Sequence, residues 1–221
     1  MWRRTVERLL AEVVIDRADE DGVALVRPGG PLAGRVRVTT PSGTPVRGAT
    51  VEVRVREGAA PVTLTTDAEG NAQFDLRAPS YLAGDVGSHE LSARAVHAAY
   101  GTISASARYL MARVPSVVSA TARGGAIVPE VDATLYVSVS DPRGRPLIRG
   151  TEVVVRGAGL PADGRRAVLD ELGFAEVVAR LPRGAASRMQ GGACSGRVAA
   201  TFEVEVRLDP PRFSRVCVPV T

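Results

Sequence analysis

The amino-acid sequence predicts an all-β protein: two tandem β-sandwiches preceded by a short N-terminal helix. Three observations carry this prediction, namely abundant turn formers, alternation of polar and apolar residues, and motifs of the first half that recur in the second. Glycine (23) and proline (15) are frequent among the 221 residues, which favours many short strands separated by turns. Apolar residues make up 45% of the chain, enough to bury a core, so disorder is not expected.

The N-terminal segment, residues 1–22, is predicted to contain a helix over residues 5–15. Its apolar residues follow the spacing i, i+3, i+4, i+7, i+8 of an amphipathic helix: Val6, Leu9, Leu10, Val13 and Val14. Charged residues such as Glu7 and Arg8 interrupt the apolar run, so a secretory signal peptide is not visible here.

Period-two alternation begins after residue 22 and predicts seven strands in each half. Those of the first half are residues 23–27, 35–40, 50–56, 62–66, 72–76, 88–98 and 102–111. Those of the second half are residues 117–123, 134–140, 152–156, 166–169, 175–180, 197–208 and 213–220. Seven short strands are typical of an immunoglobulin-like sandwich.

The two halves repeat each other. Asp67-x-x-Gly70-x-Ala72-x-Phe74 recurs as Asp170-x-x-Gly173-x-Ala175-x-Val177, and Pro41 to Gly48 recurs as Pro142 to Gly150. The offset is about one sandwich length. Because Pro115 interrupts the strand pattern, the sequence predicts a first sandwich over residues 23–114 and a second over residues 115–221.

Four glycines occupy equivalent turns of the two copies, where the backbone often needs a positive φ. They are predicted to be structural turn residues: Gly43, Gly70, Gly144 and Gly173.

The same motifs carry a family resemblance. Val26-Arg27-Pro28-Gly29 with Gly43-Thr44-Pro45-Val46 resembles the macroglobulin-type (MG2-type) domain of bacterial α2-macroglobulin-like proteins, and Gly124 to Pro129 looks like the start of a second copy. The resemblance implies tandem immunoglobulin-like sandwiches in a non-catalytic structural or interaction module of a bacterial surface or periplasmic protein. Its partners would be other proteins or neighbouring domains of a longer chain. Invasin-like repeats share these motifs, so an adhesin that binds a ligand through its loops is the alternative.

The Cys-Gly-Glu-Gln thioester that defines the inhibitor family chemically is missing from the sequence. Cys194 is instead followed by Ser195, so covalent trapping of a protease is not expected. Gly192 to Gly196 does fit a G-x-nucleophile-x-G elbow, which leaves a cysteine hydrolase with His89 or His97 as base as a further alternative. That elbow needs a following helix, whereas a strand is predicted here, so no catalytic residue is assigned.

No cofactor or metal site is predicted. His89 and His97 would lie about 26 Å apart along a strand, too far apart to share one metal. The acidic stretch Asp16 to Asp21 lacks the spacing of an EF-hand, and only Glu130 and Asp132 lie close to the domain junction. Calcium is therefore not expected.

Charge and hydropathy exclude two classes of partner. The net charge is only +4 and aromatic residues are 4% of the chain, whereas single-stranded nucleic acids are bound by basic grooves lined with aromatic residues. No window approaches about 20 uninterrupted apolar residues, the length that spans a bilayer. Neither nucleic-acid binding nor membrane insertion is expected.

Cys194 and Cys217 are the only cysteines, and in an extracellular or periplasmic protein they suggest a disulfide. A hairpin turning between Pro210 and Pro211 would set Cys217 opposite Val204. Pairing would then require residues 183–196 to fold back over the hairpin. Two free thiols are the alternative.

Overall fold

The computed structural model describes residues 8–56, 58–190 and 194–221. These residues form sixteen β-strands and no helix, so the predicted all-β class is confirmed. The chain divides into two compact units, Met1–Val114 (unit 1) and Pro115–Thr221 (unit 2). The described part of the chain contains no helix that is long and apolar enough to cross a membrane.

Unit 1 is a sandwich of two sheets. Its strands are β1 (Leu10–Ile15), β2 (Ala24–Val26), β3 (Pro31–Thr39), β4 (Thr50–Arg54), β5 (Val62–Thr65), β6 (Asn71–Arg77), β7 (Val86–His97) and β8 (Gly101–Ala112). One sheet has the order β1-β3-β6 and the other β2-β8-β7-β4-β5. The pairings are antiparallel except that β2 runs parallel to β8. Val36 and Phe74 of the first sheet and Val51 and Tyr109 of the second share one buried core.

Unit 2 has the same construction. Its strands are β9 (Val117–Ala122), β10 (Asp132–Ser140), β11 (Glu152–Gly157), β12 (Arg165–Val168), β13 (Phe174–Arg180), β14 (Ser187–Arg188), β15 (Val198–Val206) and β16 (Arg212–Pro219). One sheet has the order β13-β10-β9, and the other has the path β12-β11-β15-β14 with β16 also paired to β15. Leu135 and Val177 of the first sheet and Val155 and Phe202 of the second share its core.

The repetition seen in the sequence extends to the sheet topology. The order β1-β3-β6 in unit 1 corresponds to β9-β10-β13 in unit 2, and β5-β4-β7-β8 corresponds to β12-β11-β15-β16. Even the parallel pairing of β2 with β8 has a counterpart, since Ile127 bridges Val220 in parallel. Equivalent positions in the two units can therefore be compared through the strand registers.

The predicted N-terminal helix over residues 5–15 is wrong. Residues Leu10–Ile15 form β1, which pairs with β3 from Leu10 opposite Thr39 to Ile15 opposite Gly34, and residues 5–7 lie outside the described part. The β-branched run Val13-Val14-Ile15 favours a strand, and the edge of β3 offers backbone groups that β1 satisfies. A short apolar run is compatible with both the helical and the strand periodicity. In this protein the otherwise unpaired edge of β3 stabilises the strand.

Candidate functional site

The repeated Asp-x-x-Gly turns clamp the sheet in both units. The Asp67 carboxylate accepts hydrogen bonds from the backbone N–H groups of Glu69 (3.0 Å) and Asn71 (2.8 Å), and Val38 N–H donates to the Gly70 carbonyl (2.8 Å). In unit 2, Asp170 accepts from Leu172 and Phe174, and Val139 N–H donates to Gly173 (2.9 Å). All four turn glycines have positive φ: Gly43 (83°), Gly70 (74°), Gly144 (84°) and Gly173 (74°).

A second repeated turn contains Asp141, a carboxylate with a lowered pKa. The Asp141 carboxylate accepts from the N–H groups of Arg143 (2.8 Å) and Arg145 (3.0 Å) and pairs with the Arg145 guanidinium at 2.7 Å. Burial by itself raises the pKa of Asp141. The backbone and side-chain hydrogen bonds from Arg145, the backbone bond from Arg143 and the charge of Arg145 outweigh it and lower the pKa. In unit 1 the neutral Thr40 hydroxyl takes this place and accepts from Thr44 N–H.

This difference predicts an acid-sensitive contribution in unit 2. Because the pKa of Asp141 is lower in the folded state, its stabilising effect is complete above the unfolded value near 3.8 and is lost as pH falls through the lowered folded pKa. We expect Asp141→Asn to destabilise unit 2 at pH 7, and the destabilisation to become smaller as the pH falls below about 3.8. Urea unfolding between pH 2 and pH 7 measures the difference, with unit 1 as internal control. A destabilisation independent of pH would contradict the assignment.

The structure pairs Cys194 with Cys217 in a disulfide whose Cα atoms lie 6.1 Å apart. A sulfur held in this bond cannot act as a thiolate nucleophile. Cys194 is followed by a turn and then by β15, which is not the helix that a nucleophile elbow requires. The geometry therefore gives no support to a cysteine hydrolase using Cys194.

The predicted hairpin register is wrong by three residues. Cys217 lies opposite Thr201 rather than Val204, because the β15–β16 ladder ends at Val206 opposite Arg212. Pro210 and Pro211 have no N–H to donate, so the connection takes up residues 207–211. The change matters because Val204 faces the core, whereas Thr201 is exposed. Cys217 therefore meets Cys194 on the outer side of the sheet.

The segment that carries Cys194 folds back beside the hairpin. Met189 N–H donates to the Arg197 carbonyl (2.9 Å) and Gly196 N–H donates to the Met189 carbonyl (3.0 Å), which closes the loop before β15. The Cys194 side chain is 3% exposed. The bond therefore fixes the described ends of a glycine-rich loop over the outer side of β15 and β16.

The two histidines have structural surroundings. His89 stacks on Tyr109 with 5.6 Å between ring centroids, and the Tyr109 hydroxyl donates to the Val55 carbonyl (3.1 Å). Burial raises the pKa of Tyr109. His97 stacks on Tyr100 at 4.9 Å. Both histidines lie in β7 of unit 1, and Cys194 belongs to unit 2.

The acidic residues considered as metal ligands are used locally. Asp19 accepts from the N–H groups of Asp21 and Val23, and Glu130 accepts from Arg183 N–H (3.1 Å). Within residues 8–56, 58–190 and 194–221, no group of three or more His, Cys, Asp or Glu side chains is arranged to hold a metal.

An exposed apolar cluster on β10 and β13 is the feature that the sequence analysis missed. Glu176 lies opposite Tyr136, so Phe174 and Val178 are the diagonal neighbours of Tyr136 across the β10–β13 pair. At that distance they are within reach of the Tyr136 ring. Phe174 is 42% and Val178 50% exposed. We call Tyr136, Phe174 and Val178 the apolar cluster.

Uncharged hydroxyl groups continue this face beyond the apolar cluster. Thr121 of β9 lies opposite Tyr136, and Ser119 lies opposite Ser138 with their hydroxyl oxygens 2.7 Å apart. The face therefore combines an aromatic centre with small hydroxyl side chains.

Unit 1 shows that the fold does not require this cluster. The registers place Arg35 of β3 at the position of Tyr136, and Asn71 and Asp75 of β6 at those of Phe174 and Val178. The same sheet therefore forms with three polar side chains in these places. A sequence signal exists: β6 alternates strictly between polar and apolar residues, whereas β13 carries apolar residues on both faces.

Comparison with known families locates one domain type. Residues 23–97 match the family model Macroglobulin domain MG4. This match lies within unit 1. The macroglobulin-type recognition is thereby confirmed, with MG4 in place of the closely related MG2 type. Macroglobulin domains of this kind are non-catalytic modules.

The solved structures to which this chain is similar include bacterial proteins. The adhesin InvE of Yersinia pseudotuberculosis is 13% identical with a TM-score of 0.37, over 97% of this chain and 61% of that chain. The native α2-macroglobulin of E. coli is 11% identical with a TM-score of 0.48, over 96% of this chain and 16% of that chain. The D00-D0 domain of intimin is 9% identical with a TM-score of 0.43, over 96% and 100%. Among curated proteins, none matches this chain.

The chain is thus shorter than some of these proteins. It spans about three fifths of the InvE chain and about a sixth of the E. coli macroglobulin chain.

Proposed function

We propose that the chain is a non-catalytic interaction module of a bacterial surface or periplasmic macroglobulin-like protein without a thioester. Its two domains are unit 1, which includes β1 ahead of the predicted boundary at residue 23, and unit 2. The macroglobulin domain of unit 1 supports the family. The Cys194–Cys217 disulfide supports an oxidising compartment outside the cytoplasm.

The apolar cluster of unit 2 carries the proposal of an interaction surface. The centres of protein interfaces are poor in charge and enriched in aromatic residues, with a polar rim. Tyr136 and Phe174 are surrounded by serine and threonine hydroxyls and by one carboxylate, that of Glu176. Unit 1 has the polar residues Arg35 and Asn71 in place of the two aromatic residues. The partner that fits is a protein surface with an apolar centre, on another protein or on a neighbouring domain.

A second candidate is an adhesin that binds through its turns. Leu172, in the Asp170–Gly173 turn, is 68% exposed, and Ile148 in a preceding turn is 81% exposed. An ion pair between Arg149 and Glu171 links these two turns. In unit 1, Glu69 occupies the position of Leu172. The exposed apolar residues of these two turns therefore distinguish unit 2 from unit 1.

Site-directed photo-crosslinking in the producing bacterium tests the proposal. A photoreactive residue replaces Glu176, beside Tyr136, and in a matched control replaces the equivalent Gln73 of unit 1. We expect a crosslinked protein adduct from position 176 and none from position 73. Transplanting the unit 1 residues as Tyr136→Arg, Phe174→Asn and Val178→Asp is expected to abolish the adduct.

Two results would contradict the proposal that the apolar cluster of unit 2 is an interaction surface. One is equal crosslinking at positions 73 and 176. The other is an adduct that survives the triple substitution in a protein with unchanged thermal unfolding. A crosslink obtained instead from position 172, and not from 176, would favour the adhesin candidate.

A further inference from the structure

The outer face of the five-stranded sheet in unit 1 contains a shallow depression of about 200 Å³, lined by Glu52, Arg54, Ser92, Ala93, Arg94 and Ser104. Strand registers explain it. Glu52 of β4 lies opposite Arg94 of β7, and Arg54 lies opposite Ser92. Arg94 in turn faces Ser104 of β8. Two long guanidinium side chains thus stand beside two short serines, which leaves the space between them open.

Unit 2 shows what surrounds an arginine at the same position. Val53 pairs with Ala93 in unit 1 and Val155 pairs with Val204 in unit 2, so Arg156 is the equivalent of Arg54. The Arg156 guanidinium contacts the carboxylates of Glu205 at 2.7 Å and Glu203 at 3.9 Å.

In unit 1 both of these carboxylates are replaced. Ser92 stands in the place of Glu203, and Arg94 stands in the place of Glu205. Arg54 keeps only a 3.5 Å contact with Glu52 of its own strand, and its side chain is 46% exposed. In the described part of the chain no carboxylate lies within ion-pair distance of Arg94. The depression therefore carries an excess of one positive charge with unused guanidinium donors.

We infer that this depression binds a carboxylate of an acidic segment of a partner protein. Guanidinium groups bind carboxylates through paired, charge-assisted hydrogen bonds, and the serine hydroxyls can donate further bonds. At the equivalent place in unit 2, Arg156 contacts the carboxylates of Glu203 and Glu205. This favours a carboxylate as the ligand of the depression in unit 1. A shallow, open site of this volume admits one or two acidic side chains. This depression lies in unit 1 and is independent of the interaction surface proposed at the apolar cluster of unit 2.

Titration of the 221-residue chain with a hexaglutamate peptide at low salt tests the inference. We expect saturable binding, with chemical-shift changes centred on Arg54, Ser92 and Arg94. Arg94→Glu supplies the carboxylate that unit 2 has in Glu205, and should weaken binding at least tenfold by engaging Arg54 internally. Arg35→Glu, on the other sheet of unit 1, makes the same change in net charge and should weaken binding by less than about twofold because surface charges at a distance are screened.

The controls separate specific from general attraction. Hexaglutamine should not bind, and inorganic sulfate should bind far more weakly than hexaglutamate. Equal losses in Arg94→Glu and Arg35→Glu, or equal binding of sulfate and hexaglutamate, would overturn the assignment. Arg94→Gln serves as a second variant should Arg94→Glu not fold. Crosslinking from position 176 should be unaffected by Arg94→Glu. Failure of hexaglutamate binding would therefore not contradict the interaction surface proposed at the apolar cluster of unit 2, which the crosslinking experiment tests separately.

Discussion

Gly70→Ala is expected to lower the free energy of unfolding of unit 1 by about 3 kcal/mol, since a strained backbone and overpacking add together. Gly70 has a φ of +74°, and an added Cβ would lie 2.5 Å from the Val38 carbonyl oxygen and 3.1 Å from the Val46 nitrogen. Those two atoms are themselves joined by a hydrogen bond of 3.0 Å. The methyl group would therefore push apart the strand and turn that the Asp67 motif holds together.

Gly43→Ala is the matched control. Its φ is +83°, but an added Cβ would meet no atom within 4 Å, so only the left-handed backbone is penalised, by about 1 kcal/mol. The repeat offers the same pair in unit 2, where a Cβ on Gly173 would lie 2.6 Å from the Val139 carbonyl oxygen and one on Gly144 would lie in open space. Urea unfolding followed by hydrogen exchange measures each unit separately. Equal losses at the clamped and open glycines would refute the clamp.

The second large effect is expected from the disulfide. Replacing Cys194 and Cys217 together by serine should destabilise unit 2 by about 3 kcal/mol, because the bond closes a loop with a sequence separation of 23 residues and so limits the unfolded chain. Unit 1 should keep its unfolding transition, since both cysteines belong to unit 2. Differential scanning calorimetry of the oxidised protein and of the double variant gives the comparison.

Mass spectrometry without reduction provides the direct check of the bond. Alkylation of the exported protein should label neither cysteine. Two fully alkylated thiols would show that the bridge is absent, and would also remove one support for an extracellular or periplasmic location.

Most strands were predictable because their signals are local. The third predicted strand of each half, for example, follows from the β-branched residues between Thr50 and Val55 and between Thr151 and Val155, and its ends follow from neighbouring glycines and prolines. The Asp67 and Asp170 turns were recognisable for the same reason, since an aspartate that accepts bonds from N–H groups two and four residues later is a property of one short segment.

The functional surfaces could be predicted only in part. A period-two pattern places Phe174 and Val178 on the outer face of a strand, but their approach to Tyr136 depends on the β10–β13 register. Likewise, Arg54 reads as one charge of a solvated strand. The strand registers place Ser92 and Arg94 beside Arg54. Only the comparison of these two residues with Glu203 and Glu205 of unit 2 shows the excess of positive charge around Arg54.

The sequence by itself determined the all-β class, the duplication and the positions of most turns, because alternation, β-branching and turn chemistry act between residues close in the chain. Tertiary structure alone decided that residues 10–15 form a strand, because the unpaired edge of β3 supplies hydrogen-bond partners that no local pattern records. It also decided that Cys217 faces Thr201, because the ladder ends where Pro210 and Pro211 can no longer donate. Both outcomes depend on pairings between distant segments, where a shift of a few residues changes which face a side chain occupies.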